Sequence, residues 1–594
     1  MAATLFKEVA YSLSKLIEDI EMGEIGLPEI QRPFVWKSTK VRDLFDSMYR
    51  GFPVGYLLFW QSMASGNRQI GSGEKQKTAR LLIVDGQQRL TSLYTVLKGM
   101  PVLRQDYKTE RIRIAFRPRD QVFEVLDAAI LKDPEFVPDI STLWGKDVGR
   151  KKTVAAFLKR LRDKREVSEE EEEMLEEAID RVLDLQHYPF TALELSGTVG
   201  EEEVADVFVR INSKGMTLNQ ADFILTLMSV YWDEGRSDLE AFCRAARTPS
   251  AGAPSPFNYY IQPDPDHLLR VSVALGFRRA RLQHVYSILR GKDLETGEFS
   301  DERREEQFGV LCRAQATVLD VQNWHEFLKA IMTAGYRSGG MISSQIGLLY
   351  AYALYLIGLR DFHVDRRQLR QVIARWFFMT ALTGHYSSGA PETIMDQDLN
   401  RLSDATNADE FVAVLNHAID DKFTEDFWSI NLANELATSA SRGPTLFAYY
   451  AALNLLGAKV LFSKMTVHEL LDPTTKANKS ALERHHLFPK GYLQTLGVTH
   501  TRDTNQIANF ALVEWSDNIG ISDAPPSEYF PAYAGRFNEA DLKQMGAWHA
   551  LPDGWTDMEY WDFIDARRRL IAKVIREGHE CLVSKGCADE TSEP

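Results

Sequence analysis

Two adjacent histidines, His485 and His486, open a short apolar run, Leu487-Phe488, that Pro489 closes before Lys490. Downstream, Asn509 begins the segment Asn509-Phe510-Ala511-Leu512-Val513-Glu514-Trp515, and Asn518 follows shortly after. These residue types suit hydrolysis of a phosphodiester. That reaction needs a water stripped of its proton and a divalent cation on the phosphate oxygens. A neutral imidazole suits the base near neutral pH. Its ring must be held in one orientation, which a loop asparagine can do through a carbonyl. The order fits a ββα-metal nuclease: a histidine base on a β-hairpin, an asparagine in the hairpin loop, and a metal ligand on the helix that follows. Neighbouring strand residues point to opposite faces, so His485 and His486 cannot serve identical roles in an extended segment. A His-His pair alone is more often a polar strand end; Pro489 and the two asparagines shift the balance toward a site.

A second constellation lies in the N-terminal third. Leu81-Leu82-Ile83-Val84 reads as a buried strand that ends in Asp85-Gly86-Gln87-Gln88-Arg89, with a helix expected from Leu90-Thr91-Ser92 to about Lys98. Free amide N–H groups and the helix dipole favour an anion at such a turn. Arg89 can add a bidentate contact, and Asp85 can hold a cation or position a water. The bland reading is a tight turn capped by Asp85. Five polar residues set directly against apolar runs favour a site. No GxxxxGK[ST] occurs, so this is not a P-loop. Gln31 and Arg32 sit in an extended segment between Pro28 and Pro33. Arg210-Ile211-Asn212 precedes Gly215, which suits a turn with positive φ, and Asp222 lies beyond it.

The three N-terminal blocks, Gln31-Arg32-Pro33, Asp85 to Arg89, and Arg210-Ile211-Asn212 with Gly215 and Asp222, resemble the N-terminal domain of GmrSD-like modification-dependent (type IV) restriction enzymes. The histidine-asparagine pattern resembles the His-Asn-His-type nuclease domain at the C-terminus of the same family. The resemblance implies a multidomain α+β protein: a ParB/sulfiredoxin-like nucleotide-binding and DNA-sensing domain over about 10–230, with a helical insertion near 146–180, a helical region over 236–440, a ββα-metal (HNH) nuclease domain over 441–587, and a disordered tail over 588–594. It implies His485 as a metal ligand, His486 as the general base, Asn509 as the loop clamp and Asn518 as the second ligand. It also implies a nucleoside triphosphate (GTP, ATP or CTP) held by Gln31, Arg32, Asp85, Gly86, Gln87, Gln88, Arg89, Thr91, Arg210 and Asn212, with Asp85 taking part in its hydrolysis. The cation would be Mg²⁺ or Mn²⁺. The expected activity is cutting or nicking of modified phage DNA, for example DNA with glucosylated hydroxymethylcytosine, in antiviral defence. Alternatives are a phosphorothioate-sensing NTP-hydrolysing nicking enzyme, an RNA-targeting nuclease, and a DNA- or nucleotide-binding regulator with a weak or inactive nuclease site. A homodimer is one arrangement open to such an enzyme. Many relatives carry an acid where this chain has His485, which leaves fewer negative charges around the cation.

The rest of the chain must position these groups. Its 594 residues, 44% hydrophobic, are enough for large cores and several domains. No apolar run is long enough for a membrane, and the N-terminus does not read as a signal peptide. Cys243, Cys312, Cys581 and Cys587 lack CxxC spacing and read as reduced thiols, which points to the cytoplasm. The net charge of −15 argues against generic polyanion binding, so a DNA enzyme of this balance must concentrate its cations locally. Residues 5–25 show helical spacing at Leu13, Leu16, Ile17 and Ile20; a helix is expected over Ser38–Tyr49, and strands over Phe52–Trp60, Arg111–Phe116 and Phe190–Leu195. The basic stretch Lys146–Arg165 and the acidic run Ser168–Glu177 read either as a DNA-contacting face or as a helical hairpin whose charges pair. Pro254, Pro256, Pro263 and Pro265 suggest a linker near 248–266. His267, His284, His325 and His417 lie singly on helices and read as structural. His385-Tyr386-Ser387-Ser388-Gly389 reads as a polar turn. The closing helix from Tyr560 carries Arg567, Arg568, Arg569 and Lys573, which either hold a DNA backbone or stay solvated while Trp561, Phe563 and Ile564 pack.

Overall fold

The computed structural model describes residues 5–26, 34, 36–61, 80–104, 108–145, 148–197, 199, 207, 221, 224–225, 228, 231–250, 252–292, 296, 300–387, 389–440, 442–474 and 482–588. Gln31, Arg32, Arg210, Asn212, Gly215 and Asp222 lie outside the described residues. The chain forms two compact units, Met1–Asn219 with Ser229–Asp233, and Gln220–Met228 with Glu234–Pro594.

The first unit is built on a mixed five-stranded sheet. Its strands are β1 (Phe6–Ser12), β2 (Ile25–Gly26), β3 (Leu57–Gln61), β4 (Leu81–Asp85) and, after two small hairpins, β9 (Pro189–Leu195), in the order β1-β9-β3-β4-β2. The small hairpins are β5 (Val102–Leu103) with β6 (Thr109–Glu110), and β7 (Ile114–Arg117) with β8 (Val122–Val125). β3 runs parallel to β9 and antiparallel to β4. Helices α1 (Leu13–Glu21), α2 (Ser38–Tyr49) and α3 (Gln87–Lys98) bring Leu13, Leu16, Val41, Phe45, Leu90 and Leu93 into one core with Leu57, Phe59 and Leu81 of the sheet.

The helical spacing expected over residues 5–25 begins only at Leu13. Phe6–Ser12 is a strand because it pairs along its whole length with β9, from Phe6↔Leu195 to Ser12↔Pro189. Ser12 then caps α1 by accepting from the Lys15 amide. The buried Glu194 of β9 accepts from Tyr11 and Gln61 and pairs with Lys7, so this strand's one interior carboxylate is fully engaged. The basic and acidic stretches form a helical hairpin, α4 (Gly149–Arg162) and α5 (Glu169–Leu183). Its charges pair: Arg150 with Asp180 and Glu176, Arg162 with Glu172, and Arg165 with Glu171 and Glu135.

The second unit is mostly helical. On α6 (Gln345–Arg360) every residue from Gly347 to Gly358 is buried, and α7 (Arg366–Thr383) packs beside it. Pro265 opens a helix, Pro265–Phe277, at its first position instead of breaking one. His267 caps that helix and His325 meets the Ser255 carbonyl, both structural roles. The turn at His385 is more than polar: His385 and Tyr386 both bond the buried carboxylate of Asp398. A helix α8 (Pro444–Leu455) and the long C-terminal helix α12 (Tyr560–Ala588) pack together. Between them lies a two-stranded antiparallel ribbon, β10 (Leu482–His486) with β11 (Phe510–Glu514), followed at once by helix α10 (Trp515–Ile521). A helix α9 (Lys490–Thr495) sits in the connection of the ribbon, and α11 (Pro526–Ala534) follows α10. Among the described residues no helix is long and apolar enough to cross a membrane.

Candidate functional site

The ribbon places the two histidines on opposite sides, His485 opposite Ala511 and His486 opposite Phe510. The alternation of a strand does this without further help. His485 turns inward: it is 3% exposed, its Nδ1 lies 3.0 Å from Oδ1 of Asn518 on α10, and the Tyr529 ring of α11 meets it edge-on. Its Nε2 is buried and has no hydrogen-bond partner among the described residues. Burial holds its imidazolium down to a pKa of about 4, so the ring is neutral at physiological pH.

His486 turns the other way. Its Nε2 meets Oδ1 of Asn505 at 2.9 Å, and its ring lies on that of Phe510, 4.6 Å between centroids. With a carbonyl oxygen accepting, Nε2 carries the proton and Nδ1 is the basic atom. Burial lowers the pKa of His486, with smaller downward pushes from Lys490 and Arg484, against the opposing hydrogen bond of Asn505.

Asn509 is fully buried, and its side chain bonds the backbone and neither histidine. Its Oδ1 accepts from the Phe488 amide at 2.8 Å, and its Nδ2 donates to the carbonyls of Phe488 and Thr504, each at 3.0 Å. Its own carbonyl accepts from Leu487. It therefore ties the chain just after His486 to the chain just before Asn505, and fixes the two ends of the contact that orients the His486 ring. Behind it, the fully buried Arg567 of α12 donates to the Ala508 carbonyl at 2.7 Å and twice to the carbonyl of His549. Arg568 and Arg569 both pair with Asp565. Of the run Arg567-Arg568-Arg569, two residues are thus matched by one acid and the third is interior.

Asn505 and Arg567 escape a reading of the sequence. Asn505 sits in a polar loop without periodicity. Arg567 lies in an Arg-Arg-Arg run that reads either as a DNA-backbone contact or as solvated. Among the described residues, three His, Cys, Asp or Glu ligand atoms come within 4.8 Å of one another only at Asp264, Asp266 and His267, where Asp264 and His267 cap a helix and Arg247 pairs with Asp264.

In the first unit, β4 ends at Asp85, Gly86 adopts φ +95°, and α3 begins at Gln87. The helix starts three residues earlier than expected, so Gln87, Gln88 and Arg89 form its first turn. The reason is Gly86: without a Cβ it takes a left-handed conformation and lets the first-turn amides follow the strand directly. A Cβ there would stand 2.3 Å from Leu57. Arg89 is mostly buried and donates to the Val54 carbonyl at 2.7 Å and to Asp85 at 3.2 Å. Its guanidinium thus holds the loop before β3 onto the turn. Gln87 Nε2 and Thr91 Oγ1 are buried without a partner among the described residues, while Ser92 donates to the Gln88 carbonyl.

Residues 13–229 match the family model for the GmrSD restriction endonuclease, N-terminal domain. An uncharacterised protein of Methanocaldococcus jannaschii is 30% identical over 93 residues, which is 14% of this chain. The match spans 16% of that relative. The family match covers little more than a third of the chain, residues 13–229, and supports a GmrSD-like N-terminal domain there.

Proposed function

We propose that this chain is a divalent-cation-dependent endonuclease that cuts or nicks modified foreign DNA under the control of a nucleotide. The observation that carries the reading is the orientation of His486 by Asn505, on a strand whose other face pairs His485 with Asn518. One short unit, β10-β11-α10, thus offers an oriented base and a pair of neutral donors.

The residues fit a divalent cation. His485 Nδ1 and Asn518 Oδ1 lie 3.0 Å apart, about the separation of adjacent ligands of an ion with bonds of about 2.1 Å, and the ion would replace the proton between them, with the ring proton moved to Nε2. His485 and Asn518 would hold the ion, which when bound supplies a Lewis acid for the phosphate oxygens. His486 Nδ1 takes the proton of the attacking water. Asn505 keeps the ring from turning and stabilises the imidazolium that forms, since the Nε2 proton then points at a carbonyl oxygen. Asn509 acts on neither substrate nor proton; it sets the backbone on which both ends of that contact stand.

The N-terminal unit is the sensor in this reading. The first-turn amides of α3, with Gln87 Nε2 and Thr91 Oγ1 buried and without a partner among the described residues, suit the phosphates of a nucleoside triphosphate. Arg89 bonds Val54 and Asp85 and so shapes the site, with N–H donors left over for a phosphate.

One observation favours a second reading, a DNA- or nucleotide-binding regulator with a weak nuclease site: His485 is almost fully enclosed and its partner Asn518 is uncharged. One experiment separates the two. Cleavage of glucosylated phage DNA, phosphorothioate DNA and unmodified plasmid is measured with Mg²⁺ or Mn²⁺, with and without GTP, ATP or CTP, beside His486→Ala. Cutting of one modified DNA only, lost in the variant, is the expected result. Cutting of all three substrates removes the sensing role. Binding without any cutting supports the regulator.

A further inference from the structure

The His486 face of the ribbon carries a second chemical group. Arg484 lies two residues before His486 on β10, so their side chains leave the strand on the same side. Both rest on Phe510: the guanidinium carbon is 5.7 Å from the ring centroid and the imidazole 4.6 Å. Phe510 is the cross-strand partner of His486, and Leu512 that of Arg484. One aromatic ring thus sets the base and a cation side by side. Arg484 is exposed, as is Lys490 at the start of α9. Lys490 and Arg484 are the charged groups whose fields reach the His486 ring. In a chain of net charge −15 this sets two cations beside the proposed base, although Asp523 accepts from the Gly491 amide next to Lys490.

We propose that Arg484 is a phosphate-contacting residue of the nuclease site, holding a non-bridging oxygen of the nucleic-acid backbone beside the Nδ1 of His486, with Lys490 as a second backbone contact. The inference rests on the nuclease reading of this ribbon. A guanidinium is suited to the task because its planar fork bonds two phosphate oxygens at once, and stacking on Phe510 restricts its rotamers before substrate arrives. Arg484 contributes no proton transfer. It lowers the repulsion between substrate and enzyme and places the phosphorus in line with the water that His486 deprotonates.

The test uses the full chain with Mn²⁺ and GTP, ATP or CTP, and a 30-base-pair DNA duplex carrying glucosylated hydroxymethylcytosine or phosphorothioate linkages. Binding is followed by fluorescence anisotropy in the His486→Ala background, which needs no cutting, and cleavage is followed in the wild-type background, each at several salt concentrations. Arg484→Gln is expected to lower kcat/KM by about tenfold or more, the scale of one charge-assisted hydrogen bond. It should also reduce the slope of log affinity against log salt by about one. Arg484→Lys should restore the slope and only part of the rate, because an ammonium lacks the fork. Lys490→Gln should lower the slope with a smaller effect on kcat. If the folded Arg484→Gln protein binds and cuts like the wild type with an unchanged slope, Arg484 only packs on Phe510 and the proposal fails. If the wild type binds without cutting and Arg484→Gln still loses the slope, the nuclease reading fails while the phosphate contact stands. A wild type that neither binds nor cuts the duplex overturns the contact as well.

Discussion

The Nδ1 of His485 lies 3.0 Å from Oδ1 of Asn518, so one polar contact joins the end of β10 to the helix that follows β11. Neither residue is charged at neutral pH, because burial keeps His485 neutral down to about pH 4. This differs from a donor pair that includes an acid, and it makes cation affinity sensitive to a single added charge. Asn518→Asp is isosteric and supplies that charge. Divalent affinity rises with ligand charge, so the half-saturating Mn²⁺ concentration of cleavage should fall by about tenfold in Asn518→Asp. An unchanged value would remove Asn518 from the cation site.

The buried histidines set a pH dependence of stability. His485 and His549 both have folded-state values of about 4 against an ordinary 6.5, each through burial first. Above pH 6.5 both states are neutral and the groups contribute nothing. As pH falls from 6.5 toward 4, the unfolded chain takes up protons that the folded chain refuses, and stability drops. The loss approaches on the order of 3 kcal/mol per group at pH 4. Urea unfolding at pH 7.5 and 5 should show it, and His549→Gln should flatten the slope, since an amide still donates to the Lys459 carbonyl that His549 Nε2 meets at 2.9 Å. The same direction of shift in His486 places the acid limb of the cleavage profile below pH 6.5. A limb above 6.5 would exclude His486 as the base.

Gly55 and Gly86 hold the turn of the first unit from two sides. Gly55 has φ +88°, and a Cβ there would stand 2.8 Å from Nη1 of Arg89, the nitrogen that bonds Val54. Gly86 has φ +95° and faces Leu57. Gly86→Ala should cost about 2 kcal/mol or more, from the left-handed backbone and the clash together. Gly55→Ala should displace Arg89 with less loss of stability, because the arginine end can move. Nucleotide turnover that survives Gly55→Ala but not Gly86→Ala would assign the site to the backbone turn and not to Arg89.

Arg567 is a guanidinium with no exposure and no carboxylate paired with it among the described residues, bonded to two backbone carbonyls, Ala508 and His549. Removing it leaves those carbonyls unsatisfied, whereas a charged group without them would be costly to bury. Arg567→Met fills the volume and should destabilise the second unit by about 3 kcal/mol. Arg567→Lys, with one donor group in place of a fork, should recover only part. Chemical denaturation followed by the near-ultraviolet signal of Trp555, which packs in the same aromatic cluster as Phe563, reads this directly.

Much of this arrangement was legible in the sequence, for physical reasons that differ by residue. The ββα order follows from spacing, because a strand, a turn at Pro489, a second apolar strand and a short helix leave few other arrangements. The strand before Asp85 and the helix after it follow from an apolar run broken by Asp-Gly. The start of that helix does not, since Gln-Gln-Arg shows no apolar face and the capping is done by a glycine's backbone. Phe6–Ser12 shows too little alternation to declare itself a strand, and becomes one through its partner β9, almost two hundred residues away in sequence. Arg567 is the clearest limit. Its neighbours Arg568 and Arg569 are solvated partners of Asp565, and only the third dimension separates the interior arginine from them.

Asn505 is the residue whose removal best isolates orientation from chemistry. It is half-buried, its Oδ1 accepts from Nε2 of His486 at 2.9 Å, and the clamp made by Asn509 on Phe488 and Thr504 does not depend on its side chain. Asn505→Ala should therefore leave the fold intact while freeing the imidazole to turn and to exchange its proton between the two nitrogens. Groups that orient a catalytic histidine through its other nitrogen are typically worth about 10–100-fold in activity. That loss should fall on kcat and leave KM nearly unchanged, because Asn505 bonds His486, the proposed base, and not the substrate. Asn505→Asp separates the two parts of its role: the carboxylate still accepts from Nε2 and raises the pKa of His486, so orientation returns while the acid limb of the pH profile moves upward. Nitrogen-15 spectra of the imidazole would show one tautomer in the wild type and a mixture in Asn505→Ala. A single tautomer in both proteins, with equal kcat, would mean that the ring is held by Phe510 alone.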